Sequence, residues 1–103
     1  MEINALMMAQ TDNVVTCVSE VTKGSEVVWR NGDSFCTIAA EEDIPFCHKI
    51  ALKDFEPEEE VIKYGEMIGR TRIAIKKGHW VNHENIYSVL RDYDSEMLGK
   101  GGN

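Results

Sequence analysis

Glu26-Val-Val-Trp-Arg-Asn-Gly-Asp-Ser-Phe-Cys-Thr-Ile-Ala-Ala40 places two runs of β-forming residues on either side of a turn dipeptide. Branched and aromatic side chains such as Val27, Val28 and Trp29 pack well on a pleated surface and favour extended backbone. Asn31-Gly32 is the strongest short hairpin signal, because a type I′ turn needs positive φ at both central residues. The stretch predicts a strand over 26–30, a tight reversal at 31–32 and a return strand over 35–40. In a chain of 103 residues, enough for one domain and one modest core, such a hairpin sets the class as mainly β.

Outward from that hairpin the pattern repeats. Asn13-Val-Val-Thr-Cys-Val-Ser-Glu20 reads as a strand, and Lys49-Ile-Ala-Leu52, preceded by Pro45, as a short one. Residues 67–76 alternate, with Met67, Thr71, Ile73 and Ile75 on one face and Arg70, Arg72 and Lys76 on the other. Gly65 and Gly69 mark a turn and a bend or close backbone approach. Val21-Thr-Lys-Gly-Ser-Glu-Val27 recurs loosely as Phe55-Glu-Pro-Glu-Glu-Glu-Val61 and as Ile75-Lys-Lys-Gly-His-Trp-Val81. Each copy is an apolar residue, a polar turn and a Val entering the next strand, which predicts long, folded-over hairpins. Ile86, Val89, Leu90 and Tyr93 fall at helical spacing, so residues 85–93 are open to a short C-terminal helix or an extended arm. The organisation expected is a loosely held start over 1–11, a domain over 12–86, and an arm and flexible tail over 87–103.

Composition narrows the function. Hydrophobic residues form 43% and charged residues 28% of the chain, as in globular rather than disordered proteins. A net charge of −7 with eleven dispersed basic residues argues against a nucleic-acid partner, which requires a basic face. Met1-Glu2 opens without a basic n-region, and every apolar run is too short to span a bilayer, so a cytoplasmic protein without a membrane segment is expected. Cys17, Cys36 and Cys47, odd in number and without C-x-x-C spacing, read as free thiols rather than a zinc site.

Three clusters could carry chemistry. His48 and Lys49 adjoin where a loop enters a strand, so their side chains should leave on opposite faces. The His offers acid–base chemistry or a metal ligand, and the Lys a point charge for a carboxylate. His79-Trp-Val-Asn-His83-Glu-Asn85 interleaves two histidines with Glu and Asn, which could bind a divalent metal or sugar hydroxyls. At Tyr64-Gly65 the Gly allows a sharp turn or close backbone approach to a ligand. The acid runs at 41–43 and 56–60 read as solvated loops.

Taken in order, Asp12-Asn-Val-Val-Thr16, Ile44-Pro-Phe-Cys-His-Lys-Ile-Ala-Leu52, Val61-Ile-Lys-Tyr-Gly-Glu-Met-Ile-Gly-Arg70 and Ile75-Lys-Lys-Gly-His-Trp-Val81 resemble the N-terminal region of altronate and galactarate dehydratases. That family's region is a SAF domain with a β-clip fold, and the resemblance covers about residues 12 to 86. Three positions depart from its pattern. Cys47 stands where the family usually has Gly, and Asn82 and Glu84 replace two histidines, with His83 between them.

The resemblance implies a hydro-lyase dehydrating a hydroxy-carboxylate of the sugar-acid type. Lys49 would hold the carboxylate, and His48 would move a proton or bind metal. Tyr64, Gly65 and Asn85 would contact substrate, and His83 would be a second metal ligand. It implies a divalent metal, iron or similar, shared with or held by a separate large dehydratase subunit, with the small chain inactive alone; a homo-oligomer is also open. Two rival roles follow from the same resemblance: the small subunit of a sulfolactate sulfo-lyase, and a non-catalytic ligand-binding or docking module.

Overall fold

The computed structural model describes residues 2–88, and every regular element among them is a strand. In chain order these are β1 (Ala5–Leu6), β2 (Val14–Cys17), β3 (Glu26–Asn31), β4 (Ser34–Ala39), β5 (Lys49–Ala51), β6 (Glu60–Lys63), β7 (Glu66–Thr71), β8 (Trp80–Val81) and β9 (Ile86–Tyr87). A four-stranded sheet runs β1-β2-β5-β8, β3 and β4 form a hairpin, and β6-β7-β9 form a third sheet, all antiparallel. The mainly β class predicted from the sequence is the class observed.

One local device is used four times. Thr22–Ser25, Pro45–His48, Glu56–Glu59 and Lys76–His79 are each closed by a hydrogen bond from the fourth residue's N–H to the first residue's carbonyl. The third residue of each has positive φ: Gly24 at 88°, Cys47 at 69°, Glu58 at 65° and Gly78 at 89°. That is the signature of a type II turn, which favours Gly at its third position. The apolar residue before each turn is buried, and these residues bridge in two pairs, Val21 with Ile44 and Phe55 with Ile75. Three of these turns are the repeats seen in the sequence. The fourth, Ile44-Pro-Phe-Cys-His-Lys49, escapes notice there because its turn begins Pro-Phe and leads into Ile50 where the other three lead into Val.

The repetition extends to side-chain clamps. Asn4 donates through Nδ2 to Glu26 O and accepts at Oδ1 from Val28 N, at 3.0 and 2.7 Å. Asn13 does the same to Glu60 O and Ile62 N, at 3.0 and 2.7 Å. Each Asn ties the start of one strand to the outgoing strand of a hairpin, β3 for Asn4 and β6 for Asn13. The first residues of the chain, expected to be loosely held, are therefore built in: Ala5 is fully buried and β1 pairs with β2.

Alternation along β2 and β5 divides the apolar side chains between two cores. Val15, Cys17 and Ile50 join Val21, Val27, Trp29 and Ile44 on one side, while Val14 and Ala51 join Phe55, Val61, Ile75 and Val81 on the other. Successive residues of a strand point to opposite faces, so one short sheet serves both clusters. Burial pushes the Cys17 thiol up to about 11, which keeps it an inert apolar side chain.

Three local expectations change. The first hairpin turns at Gly32-Asp33 between the paired residues Asn31 and Ser34, and only Gly32 has positive φ (66°). Glycine at the first central position makes this a type II′ turn rather than type I′ at Asn31-Gly32. The alternating run over 67–76 is a strand only to Thr71: the chain bends, Arg72 N donates to Asn85 O, and Ile73 is 57% exposed. Ile75 is buried again because it bridges Phe55. Ile86 and Tyr87 form β9 against β7 instead of opening a helix, with Gly69 at the crossing, where an added Cβ would lie 2.3 Å from Tyr87 O. The remainder of the helical pattern, from Val89 onward, lies outside the described residues.

Candidate functional site

His48 and Lys49 stand where the second type II turn delivers the chain into β5. The turn is held by Cys47 N donating to Cys17 O and Cys17 N donating to His48 O, at 2.9 and 2.8 Å. Cys47 is left-handed at φ 69°, so the family's usual Gly at this position has a direct conformational reason. A non-Gly residue there carries strain, and Cys47→Gly is expected to stabilise the fold by about 0.5–1 kcal/mol, after the extra flexibility of Gly in the unfolded chain is counted. A denaturant midpoint that stays put or falls would contradict this reading of the turn.

The two neighbouring side chains serve different faces. Lys49 pairs with Thr16 and Val81 across the sheet, on the side of the second core. Ile50 pairs with Trp80 on the side of the first core, and the His48 ring packs edge-on against that Trp, with centroids 5.3 Å apart at 79°. Trp80 Nε1 donates to His48 Nδ1 at 3.0 Å.

On the Lys49 side, burial first and the nearby Lys63 ammonium second pull the Lys49 ammonium below the usual lysine range. Among the described residues neither lysine forms an ion pair with a carboxylate. Lys63 Nζ lies 5.2 Å from the centroid of the Tyr64 ring, which is 62% exposed. Tyr64 and Gly65 both have positive φ, at 59° and 71°, and form the type I′ reversal between β6 and β7.

Asp12, which carries no assigned role in the sequence reading, holds that reversal in place. Its carboxylate accepts from Gly65 N at 2.8 Å, Tyr64 N at 3.1 Å, Ala9 N at 3.0 Å and Met8 N at 3.2 Å. Four converging N–H donors explain how a buried carboxylate is tolerated here.

Asn85 Nδ2 donates to Trp80 O at 2.7 Å and its Oδ1 accepts from Asn82 N at 2.9 Å. Both polar ends of Asn85 therefore close the loop after β8. Asn82 Oδ1 caps the same loop by accepting from Glu84 N at 2.7 Å, a local Asx turn. Removing the clip with Asn85→Ala should cost about 1–2 kcal/mol and loosen the Trp80 segment. A melting temperature equal to that of the unchanged chain would contradict a structural role for Asn85.

His79 Nδ1 lies 2.9 Å from Glu42 Oε2, which also accepts from Trp80 N at 3.0 Å. His79 and Glu42 line a cavity of about 260 Å3 with Ile73, Lys76 and Asn85. A second cavity, near Gln10 and Arg30, is about 170 Å3. Both fall below the roughly 300–1,000 Å3 of small-molecule sites, and neither is lined by His48 or Lys49.

The metal expectation finds no ready site here. Among the described residues no group of three or more His, Cys, Asp and Glu converges to hold an ion. His83 is exposed in the loop after β8, and His48 has one ring nitrogen engaged by Trp80. These residues alone do not fit a divalent cation, which takes several ligands from one cage. No helix among the described residues is long and apolar enough to cross a membrane.

The structure thus brings Lys49, Lys63 and the Tyr64-Gly65 turn to one side of β5, and His48 and Trp80 to the other, while Asn85 closes the loop after β8. Trp80 is the participant the sequence reading passed over. A half-buried indole needs a partner for its N–H, and two histidines lie close in the flanking motifs.

Comparison with known proteins places the chain in a family. The model of the altronate/galactarate dehydratase SAF domain matches residues 3–89, so the match begins with β1 rather than at residue 12. Galactarate dehydratase (L-threo-forming) of Escherichia coli (strain K12) is 37% identical over 76 residues, 74% of this chain and 14% of that protein. Altronate dehydratase of the same organism is 34% identical over 83 residues, 81% of this chain and 16% of that protein. The (2R)-sulfolactate sulfo-lyase subunit alpha of Chromohalobacter salexigens is 42% identical over 43 residues, 42% of this chain and 46% of that subunit. The chain therefore spans a small part of the two dehydratases and a larger share of the sulfo-lyase subunit.

Proposed function

Since the chain belongs to the altronate/galactarate dehydratase SAF-domain family, we propose that it is the small component of a lyase acting on a sugar-acid hydroxy-carboxylate and is completed by a separate large polypeptide. The observation that carries this reading is the cationic spot at Lys49. In a chain of net charge −7, a half-buried ammonium sits beside Lys63, and neither has a carboxylate partner among the described residues. Two like charges held together destabilise each other, and an anion between them relieves the repulsion. A substrate carboxylate supplies that anion, with the Tyr64 hydroxyl at the rim.

In the elimination, a base takes the proton beside the carboxylate, that electron pair forms the carbon–carbon double bond, and the β-hydroxyl departs as water with a proton from an acid. Lys49 and Lys63 steady the negative charge that gathers on the carboxylate oxygens. The small cavities support the need for a second polypeptide: this chain offers one wall of a site, and the base and any divalent cation fall to the other.

A sulfo-lyase role has its own support in the relative that bears the name of a subunit. The test is to co-purify the chain with a large dehydratase-type polypeptide and assay altronate, galactarate and (2R)-sulfolactate. Keto-acid formation from a sugar acid supports the dehydratase, and sulfite release supports the sulfo-lyase. An assembled complex that converts none of them overturns the lyase reading in favour of a binding or docking module.

A further inference from the structure

Indole Nε1 is only a donor, so His48 Nδ1 can accept its 3.0 Å hydrogen bond only when that nitrogen is unprotonated. The ring proton of the neutral imidazole then sits on Nε2. Among the described residues Nε2 has no hydrogen-bond partner, and it is not sealed from solvent. The arrangement is braced from behind. Trp80 N donates to Glu42, Trp80 O accepts from Asn85 Nδ2, and the imidazole meets the indole edge-on. The loop from 79 to 85, which the sequence offers as a ligand cluster, thus fixes the orientation of one imidazole.

We infer that His48 works as a neutral hydrogen-bond donor through Nε2–H, with Trp80 as its positioning residue, and that it neither takes the substrate's proton nor binds a metal. Both alternatives need a free lone pair. Nδ1 has committed its lone pair to Trp80, and Nε2 carries the proton. A fixed neutral N–H can still stabilise charge that develops on an oxygen, as the neutral histidine of triosephosphate isomerase does. Within the lyase reading, on which this part rests, the acceptor is a substrate oxygen. Because His48 and Lys49 leave β5 on opposite faces, that oxygen is a hydroxyl remote from the carboxylate of an open-chain sugar acid held at Lys49. No proton is taken up by His48 in this role, so another group removes the proton next to the carboxylate.

The test has two arms that fail separately. In the first, ring-nitrogen NMR on the full chain reports the tautomer without substrate or partner. His48 should show a protonated Nε2 and an unprotonated Nδ1, unchanged by added Zn2+, and Trp80→Phe should give a mixture of tautomers. A protonated Nδ1 in the unchanged chain, or a Zn2+-induced shift of the His48 ring nitrogens, overturns the inference whatever the variant does. In the second, the complex with the large polypeptide is assayed. His48→Ala should lower kcat about 100-fold, whereas His48→Gln, which restores a neutral N–H donor, should stay within about 10-fold of the unchanged enzyme. Equal losses for both variants overturn the donor role. A complex without turnover sinks the lyase reading and leaves the tautomer to be decided by the first arm.

Discussion

Asp12→Ala should lower the melting temperature of the chain by roughly 15 °C, corresponding to about 3 kcal/mol for a domain of this size. The carboxylate is buried and accepts four backbone N–H groups, two from the segment before β2 and two from the turn between β6 and β7. Hydrogen bonds to an ionised acceptor contribute more than neutral ones, and deleting the acceptor leaves its donors short of partners. Water can reach some of them, because Met8, Tyr64 and Gly65 are exposed residues, which holds the loss below the full sum of four bonds. Asp12→Asn keeps one carbonyl oxygen but puts N–H groups against N–H donors, so a loss intermediate between the Ala variant and the unchanged chain is expected. Thermal melts of the three chains check the order. An Ala variant that melts with the unchanged chain would show that Asp12 does not hold the Tyr64-Gly65 turn.

Lys49→Met is expected to separate stability from activity. In the complex with the large polypeptide it should reduce kcat/KM for the sugar acid by about 100-fold or more, as expected when a charge partner of a bound carboxylate is removed. The fold should not suffer. Burial and Lys63 depress the folded-state pKa of Lys49 below its unfolded value, so the charged ammonium opposes folding at neutral pH. In the window between that depressed value and the ordinary lysine value of 10.5, the unfolded chain binds more protons, and stability rises with pH. Methionine removes the charge and keeps the apolar stem, so the variant should melt at or above the temperature of the unchanged chain near pH 7 and lose this rise in alkaline solution. Unchanged turnover would remove Lys49 from the site, and a large drop in melting temperature would mean that the lysine is structural instead.

How far the sequence reveals this molecule depends on whether a signal is local. Strand-forming runs and turn residues act over a few neighbours, so the mainly β class and the hairpin over 26–39 were legible. The type of its turn was not, because register is decided by which residues pair across the strands, and Asn31 pairs with Ser34. The bend after Thr71 was hidden for a similar reason: alternation continues through Ile73, but Asn85 captures Arg72 N and redirects the chain. The fourth type II turn was masked because it leads into Ile50 where the others lead into Val27, Val61 and Val81, and the left-handed φ of Cys47 cannot be read from a residue type that rarely adopts it. For the site, His48, Lys49, Tyr64 and Gly65 stood out as residue types, and the opposite directions of His48 and Lys49 followed from strand geometry. The partners that give them chemical character did not. Lys63 near Lys49, Asp12 beneath Gly65 and Trp80 behind His48 lie 14, 53 and 32 positions away in sequence, and only the folded chain brings them together.

The decisive measurement is the rate of sugar-acid elimination by this chain alone, by the large polypeptide alone and by the two combined. A chain whose described residues place neither Lys49 nor His48 in a cavity and form no cation cage should give turnover only in the combined sample. Conversion by the isolated 103-residue chain at the combined rate, or by the large polypeptide at a rate this chain does not change, would contradict the account.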